Sequence, residues 1–342
     1  MTIDNGLTLG DLGERRIVNE ILPRFVSSIG DDCAMVRFDD VSIVMTTDPV
    51  PEPAAKLLGN DPDPYWMGWL LVTINASDLA AAGAAPLAFL AALEAPAQTR
   101  IVDFERLLLG IKESCSAQGL KYAGGNLREG PKLTGVGSAI GQCRAGQCLQ
   151  RSGAQAGDIV MSIGRPGVFW RDVILIRSGV AVSKELSPVF RPTSQIVVMN
   201  AIAANSLVRA AIDNSDGLIA SLDQFAKANR LSIRCDLDSF PTVEGENFGI
   251  DSARLALGWG DWNVVVAAAP EATSEIYQIA DRHRSSAIVI GQFSGEGPPV
   301  VLSRSGKTKV APRLESERFA KDSWFLTGIE AYLDLLKTVE LP

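Results

Sequence analysis

The sequence predicts a two-domain protein of the α/β (α+β) class, and three observations carry that expectation. A chain of 342 residues with 46% apolar composition is longer than an average domain and can bury at least one large core. In its first half, strand-like apolar runs alternate with long helical patterns. Near residue 150 the alternation starts afresh with "AGDIVMSIG", a turn followed by an apolar strand. The division falls at about Arg151, giving domains of residues 1–150 and 151–342.

In chain order, "VSIVMTTD" (41–48) reads as a strand and "PYWMGWLLVTINASDLAAAG" (64–83) as a helix. Asp63 before Pro64 makes an N-cap and a first-turn proline, and Gly83 stands where a helix C-terminus favours glycine. "PLAFLAALEA" is the next strand, and "VDFERLLLGIKESCSAQG" a helix ended by Gly119. "KYAGGNLREG" (121–130) reads as a short strand closing in a turn at Gly124, Gly125 and Asn126. "KLTGVGSAIGQC" and "LQRSG" are strand-like. In the second half, "EATSEIYQIADRHRSS" is a surface helix with a basic end, and the tail "SWFLTGIEAYLDLLKTVELP" is an amphipathic helix that docks on the body. "SRSGKTK" is no P-loop, because Val301 occupies the place of the first glycine; Lys307 is read as a solvated loop residue.

Composition removes several function classes. The net charge is −8 with no basic stripe, so neither nucleic acid nor an anionic membrane is an expected partner. The first thirty residues lack the apolar run of a signal peptide, which predicts a cytoplasmic protein. Residues 70–97 are rich in small apolar side chains, but Asn75, Ser77, Asp78, Gly83 and Pro86 interrupt them, so a buried helix, a turn and a strand are expected there. Five scattered cysteines read as reduced thiols. His283 is the single histidine, which removes Ser-His-Asp, Cys-His and multi-histidine zinc chemistry. Carboxylates, a metal and backbone groups remain.

Aspartates gather at element ends: Asp31 and Asp32 after Gly30, Asp48 ending a strand, Asp213 and Asp216 at a strand-to-helix junction. Asp78 lies inside an apolar helix, on one face with Leu71, Asn75 and Ala82; such a carboxylate needs either a hydrogen-bond partner or a metal. Two carboxylates about 4 Å apart repel by roughly 4 kcal/mol at an effective dielectric of 20, so a pocket of several would need divalent cations. Magnesium suits an oxygen-only donor set facing a polyphosphate. Asp216, just before "GLIASLDQFAKAN", is also expected to cap that helix.

Taken in order, "LGERRIVNEILPRF", "IGDDCAMV", "TTD", "INASDLAAAGAAP", "YAGGN", "LQRSGAQAGDIVMSIG", "IDNSDGL" and "GWGDW" resemble the motifs of the thiamine-monophosphate kinase family, within the aminoimidazole ribonucleotide synthetase-like superfamily. The resemblance implies an N-terminal domain whose sheet pairs across a homodimer, a C-terminal α/β domain, and transfer of the γ-phosphoryl group of ATP to thiamine monophosphate with Mg2+. It implies Asp31, Asp48, Asp78 and Asp213 as magnesium ligands. Asp32, Gly124, Gly125, Asn126 and Arg151 would stand at the nucleotide, and Asp213, Asp216 and Arg151 at the transferring phosphate. Phosphoryl transfer needs alignment and charge neutralisation more than a strong base, so the scarcity of histidine is no obstacle.

Three departures from the family pattern stand out, the first touching metal and nucleotide and the other two the acceptor and the shape of its site. Asn126 replaces an aspartate of the family pattern, "PVPEPAAKL" follows Asp48 without the usual run, and Gly260 stands where a glutamate is usual. They leave open a relative that activates an amide or carboxamide oxygen, or a nucleotide-binding protein without turnover.

Overall fold

The computed structural model describes residues 6–26, 30–243, 250–312 and 328–342. Ser27, Ser28 and Ile29 of the first acidic motif, and residues 323–327 of the expected tail helix, lie outside the described residues. Short helices α1 (Leu9–Leu12) and α2 (Glu14–Arg16) lead into one π turn and one 3-10 turn that end at Arg24. There follow β1 (Ala34–Phe38), β2 (Val41–Pro49), α3 (Ala54–Leu57), α4 (Pro64–Ala81), β3 (Ala85–Ala95), α5 (Ile101–Ala117), β4 (Lys121–Glu129) and β5 (Thr134–Arg144). These five strands form a sheet of order β1-β2-β5-β3-β4, parallel only between β3 and β4, where α5 makes the crossover.

The second sheet is built from β6 (Ile159–Ile163), α6 (Val168–Arg177), α7 (Ile196–Ala204), β7 (Ala210–Asp213), α8 (Leu218–Asn229), β8 (Ser232–Asp236), α9 (Ser252–Leu257), β9 (Val264–Ala268), α10 (Thr273–Arg282), β10 (Ala287–Ser294), β11 (Val300–Arg304) and β12 (Lys307–Val310), with α11 (Ile329–Thr338) after it. Its strand order is β12-β11-β8-β10-β6-β9-β7. Helix α11 docks as expected: Tyr332, Leu333 and Leu336 are buried, and Arg254 donates to the carbonyls of Leu336 and Val339.

Helix α4 is the spine. Asp63 caps it by accepting from the Tyr65 amide at 2.9 Å, and fifteen of its eighteen residues are buried. A helix buried on every side sits between layers rather than on a surface. One side meets the inner face of the first sheet, where Phe89, Ala91 and Leu93 point inward. Another meets α5 so closely that side chains are excluded: a Cβ on Gly68 would lie 2.1 Å from the Leu107 carbonyl oxygen, and one on Gly110 2.1 Å from that of Tyr65. Toward the second half, the Trp69 indole and the Thr73 hydroxyl both donate to the Pro192 carbonyl, at 2.7 and 2.9 Å. The region 70–97 is therefore a helix, a turn and a strand, and among the described residues no helix is long and apolar enough to cross a membrane.

Four local expectations are corrected. "YAGGN" is no turn: β4 runs through it, with a bulge at Ala123 where the register against β3 shifts. Gly125, at φ 151°, is required there because a Cβ would lie 1.8 Å from the Ala91 carbonyl oxygen. "LQRSG" is no strand; its backbone is satisfied piecemeal, by Ala82 O, Ala211 N, Asp31 and Asn229, so no ladder forms. Lys307 begins strand β12, because Ser305 and Gly306, both at positive φ, make the hairpin turn that pairs it with Arg304. Helix α8 has Gly217 rather than Asp216 as its N-cap, and Asp216 lines the neighbouring cavity.

Candidate active site

Three elements deliver carboxylates to one place: β2 ends on Asp48, α4 presents Asp78 one turn before its C-terminus, and β7 ends on Asp213. Asp78 has the partner it needs in the Thr46 hydroxyl, which donates to its Oδ2 at 2.5 Å. Asn75, one helical turn earlier, accepts from the Asp48 amide at 3.2 Å and donates to the Leu71 carbonyl at 2.9 Å. The helix thus holds the end of β2 through Asn75 and Asp78 together.

Electrostatics record the convergence. Burial, reinforced by Asp213, Asp48 and Asp32, pushes the Asp78 carboxyl well above its ordinary range. Burial and Asp32 do the same to Asp213, while Arg151 opposes the shift. Cys33 is pushed up by burial and then by the same aspartates, so it stays a neutral thiol. Arg151 is the cation that answers them. Its guanidinium pairs with Asp32 through Nε at 3.1 Å and through Nη2, while Nη1 donates to Gln224 at 3.1 Å. Its backbone amide donates to Asp31 at 2.8 Å, and the Gln150 side chain reaches Asp31 at 3.0 Å.

A cavity of about 190 Å³ and a wider groove of about 1030 Å³ meet at Asp216, which lines both. Asp48, Asp78 and Asp213 lie at the first, with walls from Trp66, Phe169, Phe190, Trp259 and Trp262. Asp31, Asp32, Thr46, Thr47 and Arg151 line the groove. Two of the unusual segments lie on the cavity: Pro49, Pro51, Glu52 and Pro53 from "PVPEPAAKL", and Trp259, Gly260 and Trp262 from "GWGDW". Gly260 has φ 106°, and a Cβ there would lie 2.5 Å from the Phe169 ring. The glycine is what lets Phe169 pack here, and a glutamate at 260 requires the ring to move.

Asp31, Asp32, Asp48, Asp78, Asp213, Asp216 and Arg151 are therefore gathered around two adjoining hollows. Gly124, Gly125 and Asn126 are not among them. Gly125 shares the cross-strand row of Gly137 and Asp48, but three strand spacings away, roughly 14 Å along the sheet. Asn126 lies beyond it on the exposed edge strand. The aromatic wall was missed in the sequence, although Trp259 and Trp262 flank an acidic motif and Trp66 opens the spine helix.

Among the described residues, no three carboxylate, histidine or cysteine side chains stand close enough to enclose a metal ion by themselves. The donor set still fits magnesium. It is all oxygen, its carboxylates repel one another more than Arg151 and Thr46 offset, and magnesium fills its octahedron with waters and substrate phosphates rather than with an all-protein cage. Asp48, Asp78 and Asp213 are the residues that would hold it.

Asp261 of "GWGDW" plays a different part. Its two oxygens accept from the amides of Gly167 at 2.6 Å and Phe169 at 2.7 Å, fixing the turn into α6. Burial raises its carboxyl to about 7, against the opposing amide bonds. A raised acid holds its proton in the folded state while the unfolded chain releases it, so this group's contribution to stability falls as pH rises from about 4 to about 7. Asp261→Asn removes that slope. In chemical denaturation across this window, the stability difference should shift in the variant's favour as pH rises; a difference that does not vary with pH contradicts the assignment.

Fold and site together define a two-domain protein of the AIR synthase related class. The family model for the AIR synthase related N-terminal domain matches residues 30–143, and that for the C-terminal domain matches residues 155–302. The thiamine-monophosphate kinase of Salmonella typhimurium is 31% identical over 248 residues, covering 68% of this chain and 72% of the relative. That of Halobacterium salinarum is 28% identical over 316 residues, covering 91% and 99%. Among solved structures, AaThiL complexed with AMPPCP and TMP superposes with a TM-score of 0.76 at 24% identity, covering 92% of this chain and 100% of that one. Thiamine-monophosphate kinase from Stenotrophomonas maltophilia superposes with a TM-score of 0.67 at 26% identity, covering 87% and 96%. The chain belongs to the thiamine-monophosphate kinase family.

Proposed function

We propose that this protein is a kinase that transfers the γ-phosphoryl group of ATP to thiamine monophosphate. The observation that carries the reading is the pairing of the two hollows: a cavity walled by aromatic rings is lined also by Asp48, Asp78 and Asp213, beside a groove of about 1030 Å³. Indole and phenyl faces stack on heterocycles and attract a cationic ring. With rings seated there, the acceptor phosphate points at the carboxylates and meets the ATP phosphates near Asp216. Bound magnesium supplies charge neutralisation between the phosphates and Asp48, Asp78 and Asp213. Arg151, held in place by Asp32 and Gln224, presents a fixed positive charge at the nucleotide side. Asn75 and Thr46 keep Asp48 and Asp78 oriented.

The domains divide at Arg151 in this reading, between the last strand of the first sheet and the first of the second. The protein acts in the cytoplasm, which suits its five free cysteines. It works as a homodimer through the outer face of the first sheet, where Val36, Phe38, Leu90 and Val136 are exposed. Asn126, in one row with Ala92 and Val136, belongs to that face, so Gly124, Gly125 and Asn126 would serve a nucleotide from a partner copy. Sedimentation showing only monomer would remove the dimer and that role.

The decisive assay is magnesium-dependent conversion of thiamine monophosphate to the diphosphate by the purified chain. ATP turnover without diphosphate would move the assignment to another acceptor, such as an amide oxygen, at the altered cavity. Nucleotide binding with no turnover on any acceptor would reduce the protein to a binding module.

A further inference from the structure

The segment 188–193 is a wall shared by two cavities. Val189, Phe190 and Pro192 line the aromatic cavity, Arg191 and Thr193 line a second one of about 660 Å³, and Pro188 borders both. The second cavity has the opposite electrical character to the first. In a chain of net charge −8, it gathers Arg165, Arg191, His283 and Arg284. Its one lining carboxylate, Asp261, is already committed to the amides of Gly167 and Phe169. Among the described residues, neither Arg165 nor Arg284 is in an ion pair, and both are exposed to the cavity mouth.

Deeper in, donors stand without acceptors. The Nε of Arg191 and the Oγ of Ser286 are both shielded from solvent, and neither has a hydrogen-bond partner. Arg191 is otherwise held by Tyr65, whose hydroxyl accepts from its Nη2 at 2.8 Å, by the Glu113 carboxylate 3.6 Å from the same nitrogen, and by stacking over Trp69 at 4.8 Å. The guanidinium is thus fixed in place with its shielded Nε–H unused. Residues Ile196, Val197 and Val198, the first turn of nine-residue α7, line the same cavity, and first-turn amides have no intrahelical acceptor. An excess of fixed N–H donors over acceptors, with guanidinium forks among them, is the chemistry that recognises a phosphate.

We propose that this cavity is a second binding site, for a phosphate-bearing small molecule, separate from the aspartate cleft. The guanidiniums of Arg165 and Arg284 close on the anion at the mouth, and Arg191, Ser286 and the α7 amides receive it within. The inference is independent of which acceptor the cleft phosphorylates.

The test is calorimetric titration of the full chain with inorganic phosphate, in the presence of magnesium and saturating AMPPCP to occupy the cleft. Wild type should bind one phosphate. The double variant Arg165→Ala/Arg284→Ala should bind it at least about tenfold more weakly, the loss of one strong charged contact. Its AMPPCP affinity should be unchanged, which also reports that the variant is folded. If the double variant is unfolded, the single variants Arg165→Gln and Arg284→Gln carry the comparison, each with a smaller loss. Equal phosphate affinity in wild type and variant, or no phosphate binding by wild type at millimolar concentration, overturns the proposal. Failure of AMPPCP to bind would count against the cleft assignment alone, since the phosphate comparison can be made without it.

Discussion

Asp213→Asn should abolish phosphoryl transfer without weakening the fold. The carboxylate ends β7 almost fully buried, at 5% exposure, and faces Asp32, Asp78 and Asp216. Asparagine keeps the shape and one oxygen but removes the charge that would hold a divalent cation against two phosphates. Losing about 4 kcal/mol of transition-state stabilisation corresponds to about a 10³-fold fall in kcat. The metal-free protein should melt no lower than wild type, because neutralising one of several repelling, buried carboxylates relieves strain that a cation would otherwise neutralise. Addition of magnesium and nucleotide should then raise its melting temperature less than that of wild type. Retained turnover would remove Asp213 from the chemistry, and a large stability loss would make it a structural residue.

Arg151→Ala should do the reverse and damage stability as well as activity. Arg151 is partly buried, and Asp32, with a side chain only 6% exposed, depends on it for charge compensation. Removing one partner of such a pair leaves a buried charge alone, at a cost of about 3 kcal/mol. The residue also sits in the linker between the two sheets, where its backbone serves Asp31 and Asn229 and its side chain reaches Gln224 on α8. Denaturation should show the loss in metal-free protein, and magnesium should restore part of it by supplying the missing positive charge. Arg151→Lys should recover little, since an ammonium cannot reproduce contacts to Asp32 and Gln224 from one planar group. Stability within about 0.5 kcal/mol of wild type would show that Asp32 is adequately solvated without its partner.

The spine helix was readable because its signals are local. Asp63, Pro64 and Gly83 mark its ends, and a helix apolar on most of its faces is stable only when buried. The acidic residues were readable for a similar reason: carboxylates at the ends of strands and within an apolar helix are costly, so their positions point to a shared purpose. The reading of "YAGGN" as a turn failed because two glycines and an asparagine carry the same local signature in a turn and in a bulged edge strand. Pairing with β3 chose between them, and that pairing depends on residues more than thirty positions away. "LQRSG" failed similarly, since its extended backbone finds partners one by one in Ala82, Ala211, Asp31 and Asn229 instead of in a neighbouring strand.

By itself, then, the sequence determined the two-domain α/β class, the oxygen-based chemistry and the identity of the acidic residues, because composition, periodicity and charge act over a few residues. Only the tertiary structure decided that Asp48, Asp78 and Asp213 share one cavity and that aromatic rings from four separate segments wall it. It also placed Gly124, Gly125 and Asn126 on a distant edge. Those are distances between parts of the chain far apart in sequence, set by how α4 packs between two sheets, and no local pattern encodes them.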